Sequence, residues 1–328
     1  MRIDVHSHYN PPDYFAALRA VGGWDELSIF RALGHIWKPG SATAVMGADK
    51  ATLKRRLDDM DASKIDKQIL SIGAAHPYLK REDDAARIAR ALNDAYAALL
   101  AEAPSRLLAF AMLPLPHVEA SLAELDGALA RPGVVGVALG ASAQGVPLDD
   151  ARFSPLWAEL NRRHAVAYVH PGSEITGVIG CTEFHLAPDF VSPAEIAVCA
   201  GRMVATGLLD RYPNVRIVLA TLGGGLPFLA RRFDRGLKQD YPELHERIGG
   251  VLRHLRRFYV DTSVTEEPDA LRAAKETFGA DRILLGSDYA RPNQSTSDAV
   301  TYVANSNFLT LEEKEAVLEG NATKLFGS

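Results

Sequence analysis

Short runs of branched apolar residues alternate with amphipathic stretches along almost the whole chain. The apolar runs fall at 3–8, 67–72, 107–113, 134–139, 166–170, 215–220, 258–261 and 282–285. Each is short and rich in Val, Ile and Leu. That pattern predicts parallel strands buried on both faces. Between them the apolar positions recur with helical period, at 13–21, 51–63, 82–103, 118–130, 153–163, 193–211, 226–237 and 268–278. Two further helices are expected at 295–304 and 310–318.

Eight strand–helix units predict an α/β fold of the (β/α)8 TIM-barrel type. The alternative is a doubly wound sheet, which usually carries a Gly-rich turn after its first strand. None is found here. The pattern has no repeat, linker or low-complexity tract, so 1–328 is expected to form a single domain. One stretch stands apart. Residues 22–49 have little periodicity, several glycines and the aromatics Trp24, Phe30 and Trp37. A long loop leaving the first strand is usually functional, so a loop or cap over the site is expected at about 10–50.

In a barrel the chemistry gathers at the C-terminal ends of the strands. The first strand, Ile3-Asp4-Val5-His6-Ser7-His8, ends in two histidines two positions apart. Residues i and i+2 of a strand share a face, so His6 and His8 can bring two imidazoles to one point. The fifth strand ends in His170 and the eighth runs through Gly286-Ser287 into Asp288. Three histidines and an aspartate suit zinc, manganese or iron. Taken singly, His170 reads equally as a core or capping histidine, and Asp288 as a turn residue. Their joint placement at strand ends argues for a metal site. His76 and His117 follow strands two and three and can line the site, as can His185 in the loop after strand five. Gly223-Gly224-Gly225, before a helix, reads either as an anion-binding turn or as a tight strand-to-helix turn.

The net charge of −5 and pI near 6.1 give no footprint for nucleic acid. No apolar run is long enough to span a bilayer. Asp4, His6 and His8 interrupt any signal-peptide core, and the two cysteines give no disulfide framework. A cytoplasmic location is expected, with a small molecule as the partner.

The sequence resembles the amidohydrolase superfamily, in the branch of aminocarboxymuconate semialdehyde decarboxylase. The resemblance is carried by Asp4-Val5-His6-Ser7-His8, Tyr168-Val169-His170-Pro171, Tyr212-Pro213-Asn214-Val215, Gly223-Gly224-Gly225-Leu226-Pro227, Gly286-Ser287-Asp288-Tyr289 and Gly320-Asn321-Ala322. It implies one divalent metal, zinc first and manganese or iron otherwise, held by His6, His8, His170 and Asp288 with an open position for water. It also implies that Asp288 carries proton chemistry, that Arg232 holds a substrate carboxylate at a neighbouring subunit's site, and that the chain forms a homodimer. The implied activity is decarboxylation of a small carboxylated unsaturated or aromatic compound. Hydrolysis of a C–C, ester or amide bond is the alternative.

One departure stands out. Where the family places a histidine after strand six, this chain has Ala220-Thr221-Leu222-Gly223. The Thr221 hydroxyl can hydrogen-bond at a catalytic position but cannot act as a base near pH 7. Asp288 acts alone, another histidine substitutes, or the chain is an impaired or binding form.

Overall fold

The structure is a computed structural model and describes residues 1–23, 26–27, 50–172, 178, 180–181, 183–264, 267–290 and 295–327. Most of the expected cap lies outside the described residues.

Eight parallel strands follow one another around a barrel: β1 (Ile3–His8), β2 (Lys67–Ser71), β3 (Leu107–Met112), β4 (Val134–Gly140), β5 (Val166–His170), β6 (Arg216–Leu219), β7 (Tyr259–Asp261) and β8 (Ile283–Leu284). Neighbours in sequence are neighbours in the sheet, with no reversal of order. That excludes the doubly wound alternative. Closure is made by hydrogen bonds between the first and last strand segments. Val5 N–H donates to Leu285 O at 2.9 Å, and Asp288 N–H to His6 O at 2.8 Å. The second of these ties the chemistry-bearing ends of β1 and β8 directly together.

Helices cover the barrel because their apolar faces repeat at helical spacing. In the helix Glu82–Glu102, the buried set is Ala85, Ile88, Ala89, Leu92, Asn93, Tyr96 and Leu100. Glu82, Asp83 and Asp84 fill its first turn, where negative charge meets the positive end of the helix dipole. Inside the barrel, Phe110 of β3 stacks on Tyr168 of β5 with ring centres 5.0 Å apart.

Two expectations need correction. The helix expected at 193–211 is two helices, Ser192–Ala205 and Leu208–Arg211, because Gly207 sits at φ 72°, outside helical space. The helix expected at 310–318 continues as linked helical turns, Leu311–Glu315, Ala316–Gly320 and Asn321–Phe326. Pro242–Ile248 and Leu252–Leu255, a stretch to which the sequence pattern assigns no element, are short helices. None of these changes touches the barrel. Among the described residues no helix is long and apolar enough to cross a membrane.

Candidate metal centre and active site

The C-terminal ends of β1, β5 and β8 converge as their side-chain parity demands. Ligand-capable atoms of His6, His8 and His170 lie within 4.8 Å of one another. His6 Nε2 and His8 Nε2 face each other at 3.2 Å. Asp288 Oδ1 is 2.9 Å from His8 Nε2 and 3.4 Å from His6 Nε2. Two nitrogens bound at about 2.1 Å in a tetrahedral arrangement stand roughly 3.4 Å apart. The imidazoles therefore already have the spacing of a shared cation, and the set of nitrogens and a carboxylate fits a divalent ion.

The surroundings explain the charges. Burial opposes ionisation of Asp288, but its hydrogen bonds to His6 and His8 outweigh that and hold it well below the usual carboxylate range. His6 is pushed up to about 10: burial works against its charge, and Asp261 and Asp288 more than offset this. Burial lowers His8, and burial together with His8 and His6 holds His170 well below the ordinary value. The cluster thus keeps a carboxylate and two neutral imidazoles aimed at one point, and a cation bound there would displace the second proton from His6.

A layer of buried polar residues fixes these side chains. Asp261, at the end of β7, is the hub. Its carboxylate accepts from His6 Nδ1 at 3.0 Å, the Tyr168 hydroxyl at 3.0 Å, Thr221 N–H at 3.2 Å and Ser263 N–H at 3.1 Å. The first bond puts the His6 proton on Nδ1 and leaves Nε2 free for a cation. Burying a carboxylate costs several kcal/mol. Hydrogen bonds to a charged group return about 1.5–3 kcal/mol each, so several are needed. An amide at 261 would turn an NH2 group towards two of these donors. Asp261→Asn is therefore expected to weaken metal binding about 10–100-fold, the usual effect of losing such a partner. Chelator competition on the purified variant measures this, and an unchanged affinity would remove Asp261 from the site.

A second network lies beneath His8. Arg56 donates to His8 O at 2.6 Å and to Gln68 Oε1 at 2.8 Å. Gln68 passes the contact to Asp4, which also holds the N–H and hydroxyl of Ser287. Burial raises the Asp4 carboxyl to about 6 against these bonds. The network locks β1 to the Gly286-Ser287-Asp288 turn.

The cluster forms the floor of a cavity of 1480 Å³. His6, His8, His170, Asp288 and Thr221 all line it, and so does His185, which is bonded to Asp189 at 2.9 Å. The turn after β6 is tight: Thr221, Leu222, Gly223 and Gly224 all have positive φ. A Cβ on Gly224 would fall 1.9 Å from Pro193 O. The Gly223 and Gly224 N–H groups bond Ala220 O and Thr221 O within the turn. This favours the tight-turn reading of the glycines over anion binding.

The remaining sequence candidates are placed elsewhere. His76 is buried and stacked on Tyr78, with ring centres 5.0 Å apart and no hydrogen-bond partner on either nitrogen among the described residues. It does not line the cavity. His117 is bonded to Leu79 O at 2.8 Å before the helix Val118–Leu129, also off the cavity. Arg232 is exposed on the helix Leu226–Asp240 and makes no wall of its own chain's cavity. Asp261 was missed, although it ends a strand as His170 does. Applying the strand-end criterion to β7 finds it.

A family model described as amidohydrolase matches residues 3–328. The chain belongs to the amidohydrolase family. Among curated relatives, gamma-resorcylate decarboxylase of Rhizobium radiobacter is 32% identical over 287 residues, covering 83% of this chain and 86% of the relative. The 2-amino-3-carboxymuconate-6-semialdehyde decarboxylase of Dictyostelium discoideum is 25% identical over 347 residues, covering 100% of this chain and 92% of that one. Among solved structures, 5-carboxyvanillate decarboxylase of Novosphingobium aromaticivorans, complexed with manganese and 4-hydroxy-3-methoxy-5-nitrobenzoic acid, superposes with a TM-score of 0.83 at 22% identity. That likeness covers 100% of this chain and 96% of the other, and is one of fold. The amidohydrolase barrel here thus carries a histidine-rich cluster able to hold a divalent ion.

Proposed function

We propose that this amidohydrolase is a metal-dependent decarboxylase of a small aromatic or unsaturated carboxylate. The observation that carries the reading is the convergence of His6, His8, His170 and Asp288 at the floor of a largely apolar cavity. A divalent ion held by these four residues supplies Lewis acidity to a carboxylate oxygen. Three imidazoles and one carboxylate favour zinc, with manganese, present in the carboxyvanillate decarboxylase, as the competitor.

The chain's own residues then have defined tasks. Ile72, Ala74, Leu222 and Val264 line the cavity and shield an aromatic ring from water. The carbon that loses CO₂ must gain a proton. Asp288 lines the cavity and is the carboxyl placed to take a proton from solvent and deliver it there. The full chain forms one domain. Both cysteines are unpaired, in keeping with a cytoplasmic enzyme.

The chain acts as a homodimer. Phe190, Val198, Phe228 and Leu229 line the cavity yet are 70%, 62%, 89% and 41% exposed. An apolar strip of this kind marks an interaction surface. Arg232, exposed on the same helix as Phe228, is then free to reach the partner's cavity as a carboxylate ligand.

The test is metal analysis of protein purified without chelator, followed by CO₂ release from a panel of aromatic carboxylates. One ion per chain with CO₂ release supports the reading. Cleavage that incorporates water instead selects the hydrolase alternative. Thr221 favours a third reading, an impaired enzyme or binding protein, because the position lacks a base. Thr221→His is expected to raise turnover towards the about 10²–10⁴-fold that a positioned base contributes. Unchanged turnover in a metal-replete variant would show that Asp288 suffices. No turnover in parent or variant would select the binding protein.

A further inference from the structure

The cavity wall carries a histidine that the cluster does not use. His185 precedes the helix Ser192–Ala205, lines the cavity and is half-exposed. Its Nδ1 lies 2.9 Å from Asp189 Oδ2, four residues further on. A carboxylate at that distance fixes the imidazole proton on Nδ1 and leaves Nε2 as the nitrogen that gains and loses a proton. The backbone here is held in an unusual conformation. Phe184 has φ 54° and His185 φ 63°. Positive φ is uncommon outside glycine, and such strain collects at functional sites.

Decarboxylation consumes one proton per turnover. The bond from carbon to the carboxylate breaks, its electron pair stays on the carbon, CO₂ leaves and the carbon takes up a proton. That proton has to enter a largely apolar cavity from solvent. Among the described residues that line the cavity, the titratable side chains outside the cluster are His185, Asp189, Arg202 and Glu267. Arg202 is held by Asp149 at 2.7 and 2.9 Å, and a guanidinium does not release its proton. Of these side-chain types only histidine exchanges protons readily near neutral pH. Thr221 supplies no base, and His76 and His117 lie off the cavity. We infer that His185, oriented by Asp189, is the relay that carries protons from solvent into the cavity. This rests on the decarboxylase reading and adds the route by which its proton arrives. Protonated His185 releases the Nε2 proton to water in the cavity, and Nε2 regains one from solvent. The transfer to carbon stays with Asp288.

The test uses the full metal-loaded chain and the aromatic carboxylate that the parent decarboxylates fastest. CO₂ release is followed for the parent and for His185→Asn, over a series of concentrations of a hindered dimethylimidazole buffer, whose methyl groups oppose metal binding. Asparagine tolerates positive φ and keeps a donor towards Asp189, so the variant removes the proton-exchanging nitrogen and little else. A positioned proton-transfer group contributes about 10²–10⁴-fold, so kcat of the variant is expected to fall about tenfold or more, with KM and metal content close to the parent's. The ratio of variant to parent kcat is expected to rise with buffer concentration, as the free imidazole takes over the relay. A structural role for His185 would give a loss that the buffer does not restore, and that result overturns the inference. So does a variant kcat equal to the parent's. In both cases CO₂ release by the parent leaves the decarboxylase reading standing, whereas a parent that releases no CO₂ removes the two together.

Discussion

With His6 and His8 both replaced by alanine, the purified chain will hold no divalent ion and show no measurable decarboxylation. The two Nε2 atoms stand 3.2 Å apart, so the substitution removes the pair of donors that defines the centre. His170 and Asp288 remain, one nitrogen and one carboxylate. A cation contributes several kcal/mol of charge stabilisation. Each 1.36 kcal/mol is a factor of ten in rate, so a loss of about 10³-fold or more is expected. Plasma emission analysis gives the metal per chain, and far-UV circular dichroism verifies that the barrel persists. One ion per chain in the double variant would sink the proposed site, since the remaining pair cannot make a tight centre unaided.

The second large effect is expected at Asp288. Its backbone has φ 56°, a conformation that asparagine tolerates better than most residues. Asp288→Asn therefore preserves local geometry while removing the charge and the ability to carry a proton. At saturating metal, kcat should fall about 10²–10⁴-fold, the range for a lost general acid or base. KM should move much less, because the loss falls on the transition state rather than on ground-state binding. A kcat within tenfold of the parent's would transfer the proton chemistry to another group, with the neighbouring Thr221 turn the first place to look.

These expectations draw on both levels of description, and the two carry different information. The eight strands and their order were legible because a buried parallel strand is a local pattern, a short apolar run ending in a turn. Val166–His170 and Pro268–Phe278 match their sequence-based bounds residue for residue. The helix expected at 193–211 broke at Gly207, whose φ of 72° lies outside helical space. The four candidate ligands were legible for a related reason. Polar residues at the ends of apolar runs have no local role, and a barrel sends all such ends to one face.

Other features depended on partners far away in the chain. Asp261 lies 255 residues from His6, and only barrel closure makes it that histidine's hydrogen-bond partner. Arg56, Gln68 and Asp4 join into one buried chain of hydrogen bonds only once the first two strands and the helix between them are packed. His117 and Arg232 were candidates in the sequence, yet one bonds the Leu79 carbonyl off the cavity and the other faces solvent.

The sequence by itself determined the barrel, its strand order and the residues able to bind a metal. Each follows from periodicity and from where a strand stops, which are properties of neighbouring residues. The tertiary structure alone decided which polar groups hold those residues in place and which histidines lie away from the cavity. Those outcomes depend on register between strands and on closure of the first strand against the last, which join residues hundreds of positions apart.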